Sequence, residues 1–260
     1  VVVMGAEPDG YNINRDVGST SPATLQAQVL SEQADLGIAF DGDGDRVQCV
    51  AADGTVVDGD ELLYVIANDR VQRGRAPEGV VGTLMSNLGL ERALADKGIE
   101  LVRARVGDRY VLELMAERGW SLGGEASGHI ICGDLTTTGD GIVAALQVAA
   151  AMAGAGESLL ALKSALHKLP QTLINVSVPE GFVLEGCEAA VAESKRVEDV
   201  LSGRGRLVLR PAGPELRIPQ TNNPPQKKKS IEADHGYDKK VNPLKMAPKN
   251  AKTAQSPKPQ

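Results

Sequence analysis

The chain has 260 residues, of which 42% are hydrophobic and only 3% aromatic, so alanine, valine and leucine must supply most of its core. Its formal net charge is −6 and is uneven, because residues 219–260 carry nine lysines against three acids while the preceding part is acidic. The longest apolar stretch is too short to cross a bilayer, which excludes a membrane span. Cys49, Cys132 and Cys187 lack metal-ligand or redox spacing, which favours a reducing compartment. We therefore expect a cytoplasmic enzyme that does not bind membranes.

The first 57 residues predict a small unit of strands with one helix. Residues 1–4 are apolar and are expected to form a buried strand without a preceding signal peptide, so we expect the chain to be a fragment that lacks N-terminal residues. A Ser-Pro pair predicts a helix over 21–34. The apolar run Leu36–Phe40 predicts a second strand, and an Asp-Gly turn predicts a hairpin over 47–57.

Helix and strand patterns alternate from residue 58 to residue 169. Helices are expected at about 62–73, 88–97, 108–118, 140–152 and 159–168, and strands at 79–83, 99–103, 120–123 and 129–132. Alternation of this kind is typical of α/β layers with largely parallel strands.

The last third of the chain predicts two further segments. Residues 170–218 predict a partial α+β unit, with strands at 172–178 and 206–210 on either side of a helix at 188–201. Seven of the 14 prolines lie in 219–260, together with a run of lysines, so this segment is expected to be a disordered basic tail. For such a tail, solvated disorder is favoured over nucleic-acid binding.

Three aspartates, Asp41, Asp43 and Asp45, alternate with glycines directly after the predicted strand Leu36–Phe40. Their carboxylates would repel one another, whereas Mg²⁺ prefers oxygen ligands of this type. The intervening glycines allow the turn that brings the three side chains together. Arg46 follows with a guanidinium suited to phosphate oxygens. The stretch predicts a magnesium and phosphate site at the carboxyl end of a strand.

Two other readings of the aspartate stretch stay open. It could be a solvated acidic turn, since Asp-Gly pairs are common in turns. It could also carry a phosphatase nucleophile at Asp41, although a later acidic pair is missing because Ala144 stands one turn after Asp140. A calcium-binding EF-hand loop does not fit, because its sixth and twelfth positions would be Arg46 and Ala52.

A second glycine-rich stretch, 123–129, combines an acid, a hydroxyl and an imidazole. Glu125 can accept hydrogen bonds from sugar hydroxyls, while Ser127 and His129 can donate. His129 can also transfer a proton near neutral pH. The alternative is an ordinary turn in which Ser127 only caps and His129 begins a strand.

Two further clusters precede predicted helices. Arg103, Arg105 and Arg109 surround the start of the helix at Asp108, where an anion would be favoured, although Asp108 could simply cap that helix. Before the alanine-rich helix, Thr138 is the expected N-cap. No Ser-His-Asp catalytic triad can be identified from the sequence, and no phosphate-binding P-loop occurs, so no nucleophile is evident.

With these motifs in hand, the chain resembles the α-D-phosphohexomutases over about residues 1–210. The Asp-Gly-Asp-Gly-Asp-Arg stretch at 41–46 is similar to the Mg²⁺ loop of that family. The Gly-Glu-Ala-Ser-Gly-His stretch at 124–129 is similar to its sugar-recognition loop. The stretches 7–14, 106–111 and 136–141 resemble the branch of the family that acts on glucosamine phosphates.

The resemblance implies mixed α/β domains of the phosphohexomutase type, which in the family are four domains around a cleft. Residues 1–57 would be part of the second domain with the Mg²⁺ loop, and 58–169 the third domain with the sugar-recognition loop. Residues 170–218 would be part of the fourth, α+β domain, followed by the disordered basic tail 219–260.

The resemblance also implies an activity. A phosphoserine on the family's first domain exchanges its phosphoryl group with the sugar through a bisphosphate intermediate, interconverting glucosamine 6-phosphate and glucosamine 1-phosphate for amino-sugar and cell-wall precursor synthesis. By this resemblance Asp41, Asp43 and Asp45 would hold Mg²⁺, and Glu125 and Ser127 would bind sugar hydroxyls. The further substrate-binding candidates are His129, Arg105 and Arg109, and His129 and Arg46 are the candidates for catalysis.

The chain departs from the family pattern at both ends. The serine loop of the first domain is absent, so no catalytic nucleophile is assigned and the chain alone is expected to be inactive. The family's terminal phosphate loop is replaced at 210–215, where Pro214 has no amide N–H to offer an anion. The alternatives are a non-catalytic module that binds Mg²⁺ and a sugar phosphate, or a phosphomannomutase or phosphoglucomutase of the same family.

Overall fold

The computed structural model describes residues 1–178, 184–211 and 229–235. A three-stranded antiparallel sheet lies near the N-terminus, with the order β1-β2-β3. Its strands are β1 (Leu36–Phe40), β2 (Val47–Ala51) and β3 (Val56–Val57), and helix α1 (Ala23–Glu32) precedes them. Leu36 pairs with Ala51 and Phe40 with Val47, so the loop that joins β1 to β2 begins and ends at adjacent backbone positions.

A four-stranded sheet forms the centre of the described structure, with the order β5-β4-β6-β7. Its strands are β4 (Gly79–Thr83), β5 (Glu100–Ala104), β6 (Leu122–Gly124) and β7 (Ile130–Cys132). The strand β4 is parallel to both β5 and β6, and only β7 runs antiparallel. The prediction of α/β layers with largely parallel strands is therefore confirmed.

Helices cover both faces of the central sheet. They are α2 (Gly59–Gln72), α3 (Leu88–Ala95), α4 (Asp108–Arg118), α5 (Gly141–Ala155) and the short α6 (Leu159–Lys163). On one face, Val111 and Met115 of α4 pack against Val81 and Ile131. The opposite face contributes Val80 and Ile130 to a larger core that includes buried residues of the other four helices. Consecutive residues of a strand point their side chains to opposite faces of the sheet. The helices packed on the two faces therefore give a three-layer α/β/α arrangement.

The small sheet shares its core with the central domain. Val47, Cys49 and Val57 are fully buried in the same cluster as the apolar residues of α2 and α5. Burial of this type supplies most of the favourable free energy of folding, at about 25 cal/mol per Å² of apolar surface. The shared core holds the end of β1 next to the turn between β6 and β7, where the two predicted loops lie.

Asn87 connects the end of the central domain to the loop after β4. Its side-chain amide donates to the carbonyl oxygen of Leu169 at 2.8 Å and to Gln171 Oε1 at 2.9 Å. Its Oδ1 accepts from the backbone N–H groups of Gly89 and Leu169 at 2.8 and 2.9 Å. Asn87 is fully buried, so these bonds satisfy an amide that would otherwise destabilise the fold.

The C-terminal described part consists of β8 (Val176–Val178), a short 3-10 turn (Leu184–Gly186), α7 (Glu188–Leu201), β9 (Leu207–Pro211) and β10 (Lys229–His235). The strand order is β8-β10-β9, and both pairings are antiparallel. The helix α7 begins and ends where the sequence predicts. Among the described residues, no helix combines the length and the apolar composition that a membrane crossing requires.

The structure differs from the sequence predictions at both ends. Residues 1–4 form no strand, and Val1, Val2 and Val3 are exposed, so the prediction of a buried strand is wrong. An apolar run forms a strand only beside a partner, and no described strand pairs with it. Within the predicted disordered tail, β10 is a strand of seven residues because it pairs with β8 and β9. The rest of 219–260 lies outside the described residues.

Candidate functional site

The loop 41–46 between β1 and β2 gathers the three predicted aspartates. Carboxylate oxygens of Asp41, Asp43 and Asp45 all lie within 4.8 Å of one another. The backbone of Gly44 has a φ of +75°, a conformation that glycine adopts without steric cost. Its N–H donates to the carbonyl oxygen of Asp41 at 3.2 Å, and the N–H of Arg46 donates to Asp41 Oδ1 at 3.1 Å. These bonds turn the three side chains toward one point.

The pKa values of Asp41 and Asp45 are shifted in opposite directions. Burial opposes the charge of Asp41, yet the N–H of Arg46 and a hydrogen bond from Asp45 hold the pKa of Asp41 below its ordinary value. Burial, together with the hydrogen bond and charge of Asp41, raises the pKa of Asp45. The negative charge of Asp41 thus opposes the ionisation of Asp45.

A hard divalent cation fits this loop chemically. The guanidinium Nε of Arg46 lies 3.5 Å from Asp41 Oδ2 and 3.7 Å from Asp45 Oδ1, so it compensates only part of the negative charge. Asp45 Oδ1 is buried and has no hydrogen-bond partner among the described residues. Mg²⁺ would supply the missing positive charge and accept such oxygen ligands.

His129 lies behind the aspartate loop. Its Nδ1 is 3.0 Å from Asp45 Oδ2, and the residue is only 3% exposed. The ring lies directly against Gly139, where a Cβ would overlap it. His129 Nε2 has no hydrogen-bond partner among the described residues. This burial does not favour the predicted direct contact of His129 with a substrate, and it instead fits a residue that orients Asp45.

The glycine-rich turn 125–128 lies directly beside the aspartate loop. The N–H of Val47 donates to the carbonyl oxygen of Gly128 at 3.0 Å, and Arg46 forms an isolated antiparallel bridge with His129. A Cβ on Gly128 would overlap the carbonyl oxygen of Val47. Glycine at position 128 allows the backbone of this turn to approach the backbone of Val47 closely. The two predicted loops are therefore neighbours.

Glu125 and Ser127 lie on the outer side of this turn. Glu125 is half-buried, and its Oε1 accepts a hydrogen bond from the N–H of Gly107 at 2.9 Å. Ser127 is exposed. The carboxylate of Glu125 is therefore held in a fixed direction by the loop that precedes α4.

The three predicted arginines have different partners. The guanidinium of Arg105 lies 3.8 Å from the ring centroid of Tyr110, a cation–π contact. Arg109 is 79% exposed at its side chain and pairs with Glu113 at 2.8 Å, which raises its pKa. Arg103 pairs with Glu91 at 2.6 Å. Each of the three guanidinium groups thus has a partner of its own within the described structure.

The start of α5 is a part of the site that the sequence did not indicate. Asp140, not Thr138, is the N-cap, because Asp140 Oδ1 accepts from the N–H groups of Ile142 and Val143 at 2.9 and 3.0 Å. The N–H of Gly141 donates to the carbonyl oxygen of Gly44 at 2.9 Å. The predicted cap at Thr138 is wrong by two residues. The observed cap is an Asp, a residue type that ranks above Thr at the N-cap.

Comparisons with known proteins agree with this geometry. A family model for the α/β/α domain III of the phosphoglucomutase/phosphomannomutase family matches residues 58–169. The phosphoglucosamine mutase of Aeromonas hydrophila is 56% identical over 218 residues, which are 84% of this chain and 49% of that protein. That of Pseudomonas fluorescens is 57% identical over 215 residues, with 83% and 48% covered. The chain thus spans about half the length of these curated relatives.

Solved structures show the same fold. A structure of Aspergillus fumigatus N-acetylphosphoglucosamine mutase in complex with GlcNAc-6P and magnesium matches with a TM-score of 0.61 and 19% identity, over 86% of this chain and 53% of that one. A phosphoglucomutase/phosphomannomutase family protein from Burkholderia thailandensis matches with a TM-score of 0.56 and 20% identity, over 85% and 46%.

The domain III match and these relatives show that the chain belongs to the α-D-phosphohexomutase family. Within that family, its sequence is similar to the phosphoglucosamine mutases named above.

Proposed function

We propose that the chain carries the metal-binding and sugar-binding loops of a phosphoglucosamine mutase, which interconverts glucosamine 6-phosphate and glucosamine 1-phosphate. In this assignment residues 1–57, 58–169 and 170–218 are parts of the second, third and fourth domains of that enzyme. The observation that carries the proposal is the contact between the two loops, in which the N–H of Val47 donates to the carbonyl oxygen of Gly128. That contact puts a carboxylate triad beside a loop with sugar-binding chemistry.

In this proposal the aspartate loop holds the Mg²⁺ ion. Asp41, Asp43 and Asp45 would be its protein ligands, and the ion would neutralise the charge on phosphoryl oxygens during transfer. Arg46 lies on the same loop with a side chain 45% exposed, so it can reach a phosphate outside the triad. His129 acts through Asp45, because its buried Nδ1 fixes the direction of that carboxylate.

The turn 125–128 binds the sugar in this proposal. The N–H of Gly107 occupies Oε1 of Glu125, so the carboxylate is held in place while its other oxygen accepts from a sugar hydroxyl. Ser127 is exposed beside it and can donate or accept. Arg105, which is stacked on Tyr110, and Arg109 are the candidates for a contact with the phosphate at the far end of the sugar.

We propose that the chain does not catalyse the reaction by itself, because no residue is assigned as the phosphorylated nucleophile. A cytoplasmic location is part of the same proposal, and it is supported by three free cysteines, two of them buried.

Binding measurements on the chain test the two loops separately. We expect calorimetry to detect Mg²⁺, and Asp43→Asn should weaken it at least about tenfold. Asp35→Asn, which removes an exposed acid just before β1, is the matched control and should leave Mg²⁺ affinity unchanged. Glucosamine 6-phosphate should bind in the presence of Mg²⁺, and Glu125→Gln should weaken it. Binding that neither Asp43→Asn nor Glu125→Gln alters would contradict the proposal.

A chimaera tests the activity. Residues 1–210 would replace the matching part of the Aeromonas hydrophila relative, which supplies the other half of the protein. We expect mutase turnover in the chimaera and none in the chain alone with glucosamine 1,6-bisphosphate supplied. Substrates with glucose or mannose in place of glucosamine distinguish the other family activities. Turnover by the isolated chain would show that the proposed lack of a nucleophile is wrong.

A further inference from the structure

The N-terminus of α5 touches the backbone of the aspartate loop at one glycine. The N–H of Gly141 donates to the carbonyl oxygen of Gly44 at 2.9 Å. A Cβ on Gly141 would stand 2.8 Å from the carbonyl oxygen of Arg46 and 2.9 Å from that of Gly44. The ring carbon Cδ1 of Phe40 would also be 2.9 Å away. All three distances are shorter than the contacts that a real Cβ makes.

The two carbonyl groups that meet Gly141 flank Asp45 in the chain. Both belong to the backbone, so no flexible side chain can move aside to make room for a Cβ. Gly44 already has a φ of +75°, and its backbone sets how Asp43 and Asp45 face each other. Any displacement of these carbonyls would therefore change the separation of the three carboxylates.

The helix itself has little freedom to withdraw. Asp140 caps α5, and its N–H donates to the carbonyl oxygen of Ile130 at 3.4 Å. Ala144, Val148 and Ala151 are fully buried along the face of α5 that packs into the core. Since the core holds the helix, an added methyl group at Gly141 would displace the loop rather than α5.

We propose that Gly141 is a positioning residue for the divalent-cation site, and that its missing side chain lets α5 fix the backbone on both sides of Asp45. This inference rests on the proposed Mg²⁺ site. Gly141 does not contact the ion or the substrate in this view, and it acts only through the carbonyl groups of Gly44 and Arg46.

The test is a titration of the chain with Mn²⁺, followed by the electron paramagnetic resonance signal of the free ion. We expect Gly141→Ala to weaken Mn²⁺ at least about tenfold, as loss of an outer-shell support does in other metal sites. Gly186→Ala is the control for the substitution itself, because a Cβ there meets nothing within 4 Å. Ala151→Gly is the control for destabilised α5, and it should lower the thermal midpoint without changing Mn²⁺ affinity.

The outcomes separate this inference from the proposed function. If the unaltered chain and Asp43→Asn bind Mn²⁺ equally or not at all, the proposed metal site is wrong. If Asp43→Asn loses Mn²⁺ while Gly141→Ala retains it, only the positioning role is wrong. Equal losses in Gly141→Ala and Ala151→Gly would also reject it, because general destabilisation would then explain both.

A measurement on the unaltered chain covers the case in which Gly141→Ala does not fold. Hydrogen exchange of the Gly141 amide should slow when Mg²⁺ is added, since the ion would hold its acceptor Gly44 in place. The amide of Val148, deeper in α5, reports the general stabilisation that any ligand causes. Equal slowing at both amides, or none at Gly141, would overturn the proposal.

Discussion

The first residue of α2, Gly59, lies so close to the sugar-binding loop that a Cβ there would overlap the carbonyl oxygen of Glu125. The N–H of Gly59 also donates to the carbonyl oxygen of Ala126 at 3.1 Å. The start of α2 therefore supports the turn that carries Glu125 and Ser127.

The close contact between Gly59 and the carbonyl oxygen of Glu125 predicts that Gly59→Ala destabilises the fold. The methyl group must displace backbone atoms, and overpacking of this kind costs about 1–3 kcal/mol. Urea unfolding followed by circular dichroism measures the change in free energy. Gly133→Ala is the control, because a Cβ there would make ordinary contacts at 3.5 Å. A Gly59→Ala variant as stable as Gly133→Ala would show that the turn moves freely.

The burial of Asp60 predicts that the free energy of unfolding falls as the pH rises toward 7. The residue is 1% exposed, and burial raises the pKa of Asp60 from 3.8 to about 7. The hydrogen bond that Asp60 Oδ2 accepts from the N–H of Asn87 at 2.7 Å lowers this pKa but does not offset the burial. The folded state therefore binds a proton more tightly than the unfolded state. Stability contributed by the protonated carboxyl is complete below about pH 4 and is lost as the pH rises toward 7, by up to roughly 4 kcal/mol.

The substitution Asp60→Asn isolates this effect. The amide oxygen can still accept from Asn87, and the side chain no longer ionises. We expect the variant to gain stability over the unaltered chain as the pH rises from 4 to 8, as measured by urea unfolding at each pH. Asp35→Asn, at an exposed position, controls for the change in net charge. A difference between Asp60→Asn and the unaltered chain that does not vary with pH would refute the prediction.

The hydrogen bonds of Asn87 predict that replacing this residue loosens the segment after α6. Asn87→Ala removes the bonds to Leu169, Gln171 and Gly89, and leaves buried backbone groups unsatisfied. We expect a loss of about 2–4 kcal/mol and faster proteolysis near residues 169–171. Asn68→Ala is the control, because Asn68 Oδ1 is buried without a partner in the described structure. Equal proteolysis of the two variants would exclude the proposed connection.

The cysteines predict a simple labelling pattern. Burial raises the pKa of Cys49 to about 12 and that of Cys132 to about 11, so neither forms a reactive thiolate near neutral pH. Cys187 is partly exposed. A thiol reagent should modify one cysteine quickly in the native chain and all three in guanidinium chloride. Rapid labelling of Cys49 in the native chain would contradict the shared core between the small sheet and α2.

Local signals predicted much of the fold. The helix α4 has its predicted bounds and ends at Gly119, although Gly107 and not Asp108 is its N-cap, without a side-chain cap hydrogen bond. The strand β4 is buried along its whole length, and its bounds are those predicted around its two valines. The cap of α5 was predicted wrongly, because Thr138 and Asp140 are both residue types that cap helices and Asp140 is the one that makes the cap hydrogen bonds.

The convergence of the three aspartates was predicted from the sequence, whereas the contacts that surround them were not. The aspartate triad and Glu125 could be selected from the sequence because their carboxylates stand beside glycines that allow tight turns. The burial of His129 could not be anticipated, because its ring packs against Gly139, a contact in space that forms only when the chain after β7 turns back. The role of Gly141 depends likewise on a contact with Gly44 that no local pattern encodes.

The distance along the chain between Asp45 and His129 has a consequence for biosynthesis. The two side chains are 84 positions apart, and closing so large a loop costs entropy before any contact compensates for it. A nascent chain exposes the acids long before the residues that orient them have left the ribosome. The cation site should therefore be completed late in folding, after the central sheet has formed, and early intermediates should hold divalent ions weakly.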